Sequence, residues 1–374
     1  MKTQLLKFSA VALGLLAALL LCEAVVRLFP SVVDRFDPGF YSEENRFTFD
    51  AEVGYVNKKN RRYILPAIVD PQTFKPIVVE TNSDGYRDED FVLKLKDPKM
   101  RIAALGDSFT EAYQVDASAM WPRKLQELLG SERFAVFNLG VHNYGLPEYL
   151  LTIEHKLNQI KPDLIVVGLF MLNDIYEYAP VDSFERRQQV KSLLNSISLG
   201  TTVAQALRRQ ASTAPSPTGP SPPHRCFPGY VNNADYERNY FHAYQEWTWK
   251  VAPDSAEFQK GFAVSIAYLE RMVALAKVPV IFMLIPFRDQ IDDGWWSTYQ
   301  CLFQPTGERR FALQEEILRQ FHHPYLLDLT PEFHRQSHRP LYLKFDGHWD
   351  VEGHELAARL LADYIRRSGI ALRP

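Results

Sequence analysis

Five short apolar runs alternate with amphipathic stretches from residue 101 onward, and that alternation leaves few folds open to the chain. The runs at 101–105, 134–139, 163–170, 278–285 and 325–329 are rich in Val, Ile, Leu and Phe. Runs of this length and character suit strands buried on both faces of a parallel sheet. Helical spacing of apolar residues marks 120–129, 148–160, 258–276, 309–321 and 352–365, as with Leu150, Leu151, Ile153, Leu157 and Ile160. Strand and helix in turn predict an α/β domain of three layers, α/β/α, with a central parallel sheet of about five strands. In such sheets ligands bind at the carboxyl ends of the strands, so any chemistry is expected there.

The remaining segments predict three parts to the chain. Residues 98–374 form the main α/β domain, with an insertion at about 180–257, because 170 to 278 is far longer than one crossover helix needs. Within it, 214–223 is rich in Pro, Ser, Thr and Gly and reads as an exposed loop. Tyr236, Tyr240, Phe241, Tyr244, Trp247 and Trp249 follow, readable as packing or as a sugar-stacking platform at the active-site rim. Residues 30–97 carry Pro, Asp, Asn and Lys with short β-like runs such as Ile77-Val78-Val79. They are expected to be a small irregular or β segment packing on the main domain.

At the N-terminus, Lys2 and Lys7 precede an uncharged run over 8–22, and apolar residues resume past Glu23 and Arg27 to Phe29. The uncharged part alone suits a signal peptide; counted to Phe29 it can span a bilayer if Arg27 snorkels. No small-x-small cleavage site follows. The expectation is an uncleaved signal anchor, a transmembrane helix over 1–29. It would make the protein a single-pass inner-membrane protein with its main domain in the periplasm or outside the cell. Cys226 and Cys301 then lie in an oxidising compartment, as one disulfide or as two free thiols. A net charge of −3 without a basic block argues against nucleic acid as partner. No glycine-rich phosphate loop follows a strand, so no cofactor is expected.

Four polar clusters stand where the strands should end. Gly106-Asp107-Ser108 follows the first run, where a glycine permits a sharp turn and a following helix N-terminus aims N–H groups at a developing anion. Asn138-Leu139-Gly140 closes the second and Asn173-Asp174 follows the third. Near the C-terminus lies Asp346-Gly347-His348-Trp349-Asp350, ahead of an amphipathic helix that runs past His354. A serine hydroxyl needs an adjacent base, histidine suits that role near neutral pH, and an acid beside it fixes the tautomer.

Taken in order, these blocks resemble the SGNH hydrolases, also called GDSL-type esterases. The resemblance covers 101 to the C-terminus apart from the insertion and implies a flavodoxin-like α/β/α fold. It also implies Ser108 as nucleophile, His348 as base and Asp346 as acid, with Ser108, Gly140 and Asn173 as oxyanion donors. Thr81-Asn82-Ser83-Asp84-Gly85-Tyr86-Arg87 is similar to a segment found ahead of the serine block in many anchored bacterial members. The late block departs from the usual form, because Asp346 stands two residues before His348 rather than three. Asp350 therefore stays open as the orienting acid. The Asp-x-His-Trp form resembles that of the alginate acetylation proteins, which handle acetyl groups on polysaccharides. A serine esterase is implied, acting on an acylated small molecule or glycan, with acetyl esters of cell-envelope or exported polysaccharide foremost. Three rivals remain. An O-acyltransferase would use the same triad, a non-catalytic glycan-binding protein would keep the fold alone, and a metal hydrolase would draw on Asp346, His348 and His354.

Overall fold

A computed structural model of the protein describes residues 46–50, 52–65, 77–96, 99–175, 223–229, 255–303, 310–344 and 346–370, with single residues within 14–21 and 231–241. Most of the anchor expected at 1–29, of the loop at 214–223 and of the aromatic segment at 236–249 lies outside the described residues. Among the described residues no helix is long and apolar enough to cross a membrane. Two compact units divide the chain, Met1–Ala51 with Asp182–Gly219, and Glu52–Val181 with Pro220–Pro374. The first contributes the short strand Phe47–Asp50. The sheet and all the residues of interest belong to the second.

Five parallel strands form the centre: β1 (Met100–Gly106), β2 (Phe134–Gly140), β3 (Leu164–Phe170), β4 (Val280–Ile285) and β5 (Leu326–Asp328). Their spatial order is β2-β1-β3-β4-β5, the flavodoxin-like order, and each coincides with one apolar run. Along each strand, alternate residues serve opposite faces. Ile102, Ala104, Val136, Val166 and Met283 share a core with Trp121 and Leu125 of α2 (Trp121–Leu129) and Leu356 and Leu361 of α7 (Val351–Arg367). The residues between them, such as Ala103, Phe137, Val167 and Phe282, are equally buried. A strand covered on both faces has no polar side, which is why these runs show no alternation. Helices α3 (Leu146–Leu151) and α4 (Ala256–Leu275) pack against each other.

Residues 148–160 do not form one regular helix. α3 gives way to a π-helical turn, Thr152–Lys156, before Leu157–Ile160 resumes. The Thr152 hydroxyl donates to the Glu148 carbonyl at 2.8 Å, a local bond that competes with the regular ladder and bends helices. Upstream, Arg62–Leu65 and Ile77–Glu80 pair as an antiparallel hairpin.

Cys226 and Cys301 form a disulfide across 75 residues, with Cα atoms 5.5 Å apart. Beyond β4 the chain enters α5 (Arg288–Ile291) and α6 (Asp293–Phe303), and Cys301 lies on α6. Closing a loop of this length restricts the unfolded chain, worth about 4 kcal/mol in the chain-entropy model. Replacing both cysteines by Ser is expected to lower stability by about 2–4 kcal/mol in urea unfolding. A loss below about 1 kcal/mol would mean that aromatic packing of Phe227 and Tyr240 on Trp295 already closes the loop.

Candidate active site

At the end of β1, Asp107 caps α1 (Ser108–Glu111), its Oδ1 accepting the Phe109 N–H at 2.9 Å. Ser108 thus becomes the first helical residue, 5% exposed, and its N–H has no acceptor among the described residues. The turn lies directly on the strand ends. A Cβ on Gly106 would sit 2.1 Å from Thr110 Oγ1, and one on Gly140 would sit 2.2 Å from the Glu111 nitrogen. Only glycine lets the backbones approach so closely.

The Gly140 N–H, expected to face an oxyanion, donates to Asn138 Oδ1 at 2.9 Å. Gly140 thus forms the floor beneath α1. Asn173, in the turn after β3, donates from Nδ2 to Asp107 Oδ2 at 3.2 Å, so the third strand end is tied to the serine turn through Asp107.

His348, the candidate base, comes from a narrow loop between Leu341 and Asp350. Tyr342 and Trp349 form an antiparallel bridge, and the Leu343 N–H donates to the His348 carbonyl at 2.9 Å. Trp349 is buried between Phe109 and Phe333, with ring centroids 5.0 and 5.2 Å away, which anchors the loop beside α1. His348 Nε2 is 2.7 Å from Ser108 Oγ. Its Nδ1 bonds to Asp346 Oδ1, which also accepts the His348 backbone N–H at 3.0 Å. Both bonds come from one residue, so a spacing of two suffices for the acid. Asp350 is occupied elsewhere, capping α7 by accepting the Gly353 N–H at 3.0 Å. With the Nδ1 proton directed at Asp346, Nε2 is left to accept the serine proton.

Burial would raise the Asp346 carboxyl, but the charge and hydrogen bonds of His348, with Arg288 behind, hold it below its ordinary value. For His348, burial pulls the imidazole down, while Asp346, Asp107 and Glu111 outweigh it and leave a net rise above the ordinary 6.5. The base is neutral only above its own pKa, so the acid limb of kcat/KM for an ester is expected above pH 6.5, with activity falling as pH drops through it. A limb at or below that value would contradict the Asp346–His348 coupling. Asp107 is pushed up to about 6, chiefly by burial. Asp174, buried and accepting from Tyr149 and the Phe170 N–H, is raised well above the usual range by burial and by Asp107. His354 is also buried, against the edge of Trp349, and is lowered to about 3 by burial, then by the charges of Arg87 and His348. It is a neutral core histidine. Among the described residues no group of three His, Cys, Asp or Glu side chains is placed to share a metal ion.

Two supporting residues carried no assigned role in the sequence reading. Asp107 joins two strand ends, as above. Arg87 is 1% exposed and donates to the carbonyls of Ala112 and, at 2.7 Å, Val115. It thereby closes the C-terminal end of α1. The block from Thr81 to Arg87 was the available signal, though nothing in it names its partners.

No protein-family model matches the chain, and no curated protein does. Several solved structures are similar to it. One is a catalytic mutant of Axe2, an acetylxylan esterase from Geobacillus stearothermophilus, with 14% identity, 74% of this chain and 97% of that chain covered, and a TM-score of 0.36. Another is a two-domain esterase active on acetylated mannans, co-crystallised with mannopentaose, with 13% identity, 76% and 55% covered, and a TM-score of 0.34. A third is a lipolytic protein of the G-D-S-L family from Desulfitobacterium hafniense, with 12% identity, 71% and 99% covered, and a TM-score of 0.30. The triad, rather than these likenesses, carries the functional reading. Ser108, His348 and Asp346 stand in one hydrogen-bonded chain at the carboxyl edge of a five-stranded parallel sheet, the arrangement that the resemblance to the SGNH hydrolases implies.

Proposed function

We propose that the protein is a serine ester hydrolase of the SGNH type, acting on acetyl esters of a cell-envelope or exported polysaccharide. The observation that carries this reading is the 2.7 Å contact between Ser108 Oγ and His348 Nε2, with Nδ1 on Asp346. His348 takes the Ser108 proton as Oγ attacks the ester carbonyl. The tetrahedral oxyanion is met by the Ser108 N–H and by the Asn173 side chain. Collapse expels the alcohol, which leaves with the proton held by His348. Water, deprotonated by the same imidazole, then releases acetate and restores the hydroxyl.

The acetyl and glycan parts of the proposal rest on the Asp-x-His-Trp block and its resemblance to the alginate acetylation proteins. An anchor over 1–29, read from Lys2 and Lys7 ahead of the apolar run, would put the domain on the exported side of the inner membrane. A disulfide between Cys226 and Cys301 fits that compartment, since such bonds persist where thiols are not kept reduced. Acetate release from acetylated xylan and acetylated mannan tests the reading, with Ser108→Ala alongside. Release by wild type alone supports it. Covalent labelling of Ser108 by a fluorophosphonate without hydrolysis of any ester, but with acetyl transfer to an added glycan, would replace it by the acyltransferase.

A further inference from the structure

Arg288 stands three residues past the end of β4, opens α5, and is 4% exposed. Its Nη1 donates to the carbonyls of Leu343 and Lys344, at 3.0 Å each. Those carbonyls belong to the arm of the loop that leads into Asp346. The Leu343 N–H is in turn bonded to the His348 carbonyl, so whatever fixes Leu343 also fixes the arm bearing the base. On its other side the guanidinium lies over the ring of Trp295, 3.6 Å from the centroid. Trp295 is buried on α6 against Tyr240 and Phe227, beside the Cys226–Cys301 disulfide. The Tyr240 hydroxyl donates to buried Asp289, so Arg288 is seated in a fastened block.

A cavity of about 520 Å³ opens next to this contact, lined among others by Arg288, Trp295, Tyr342, Leu343 and Lys344. Side chains that leave so much space constrain the loop weakly by packing. Hydrogen bonds must supply the constraint on that side. They come from Arg288 and from the Tyr342 hydroxyl, which donates to the Pro286 carbonyl at 2.7 Å. A guanidinium suits the task because one terminal nitrogen donates to both carbonyls while the flat group stacks on an indole, a stacking geometry that an ammonium lacks.

We infer that Arg288 is a positioning residue for the catalytic dyad, tying the Asp346–His348 loop to the end of β4 through two backbone carbonyls. The inference rests on the hydrolase reading and deepens it. His348 is faced by Asp346 on its own loop, by Asp107 and Glu111 at the end of β1 and on α1, and by His354 on α7; Arg288 faces Asp346. Loosening the loop weakens the Asp346–His348 bond and lets the imidazole fall back towards its ordinary value. A charge effect alone would do the opposite, since removing a cation raises it.

The test is the pH profile of kcat/KM for p-nitrophenyl acetate, using the full chain as wild type, Arg288→Gln, Arg288→Lys and Ser108→Ala. Arg288→Gln is expected to lose activity about 10- to 100-fold, with the acid limb moved to lower pH. A folded Arg288→Gln with the wild-type limb, or with a limb moved upward, overturns the inference. If that variant does not melt cooperatively, Arg288→Lys decides. A smaller loss with a limb shift of the same sign supports the inference; wild-type rate and limb overturn it. Failure of wild type to react with either ester or fluorophosphonate would remove the hydrolase reading itself, and this inference with it.

Discussion

Replacing Ser108 by Ala is expected to lower kcat/KM for any ester by about 10⁴- to 10⁶-fold and to abolish labelling by a fluorophosphonate. That loss corresponds to about 5–8 kcal/mol of transition-state stabilisation. It is large because nucleophile and base work as one unit: with Oγ removed, the 2.7 Å contact to His348 has nothing to activate. What persists comes from donors that hold the oxyanion whether or not Ser108 reacts. The substitution is structurally mild, since the Ser108 side chain accepts no other hydrogen bond in the described residues and the cap on α1 is made by Asp107. Fold and melting should therefore be unchanged. A fall of less than tenfold in a folded variant would remove Ser108 from the chemistry and favour a water-activating role for His348.

The readable part of the fold was the sheet, and the reason lies in strand chemistry. A strand buried on both faces must be apolar throughout, so Ile165 to Leu169 or Val280 to Ile285 announce themselves without any partner in view. The candidate triad came from the order of four polar blocks and their resemblance to a known family. Singly, Ser and Asp are ordinary turn and cap residues, as Asp107 and Asp350 are here. The spacing of Asp346 was ambiguous in sequence because linear distance says nothing about which oxygen meets which donor. In the fold one carboxylate oxygen receives both the ring and the backbone N–H of His348, and the short spacing becomes an advantage. Gly140 was harder to read because glycine has two uses, an accessible N–H and the absence of a Cβ. Which one matters depends on Thr110 and Glu111, about 30 residues away in sequence, lying on top of it. Arg87 and Arg288 share one cause of invisibility. Each binds main-chain carbonyls of distant residues, and a carbonyl carries no side-chain signature. The π turn that begins at Thr152 coincides with a local hydroxyl bond to the Glu148 carbonyl, which the regular spacing of apolar residues does not reveal.

Asp346→Ala is expected to cost about 10³- to 10⁴-fold in kcat/KM, and the companion Asp346→Asn divides that cost into two parts. The aspartate fixes the proton on Nδ1, leaving Nε2 free to accept from Ser108, and it stabilises the imidazolium that forms. Asn can keep the first job if its amide oxygen takes the place of Oδ1, because both donors come from His348 and converge on that one atom. It loses the second job, since the charge is gone. In Asp346→Asn the charge that raises His348 is absent, so the acid limb should move to lower pH even as the rate falls. If Asn matches Ala in rate, charge dominates; if Asn is about tenfold better, tautomer control does. Asp350→Asn supplies the contrast. Asn caps a helix as well as Asp, so α7 should persist and kcat/KM should stay within about threefold of wild type. A large loss there, with Asp346→Ala nearly active, would exchange the roles of the two acids and undo the reading of the late loop.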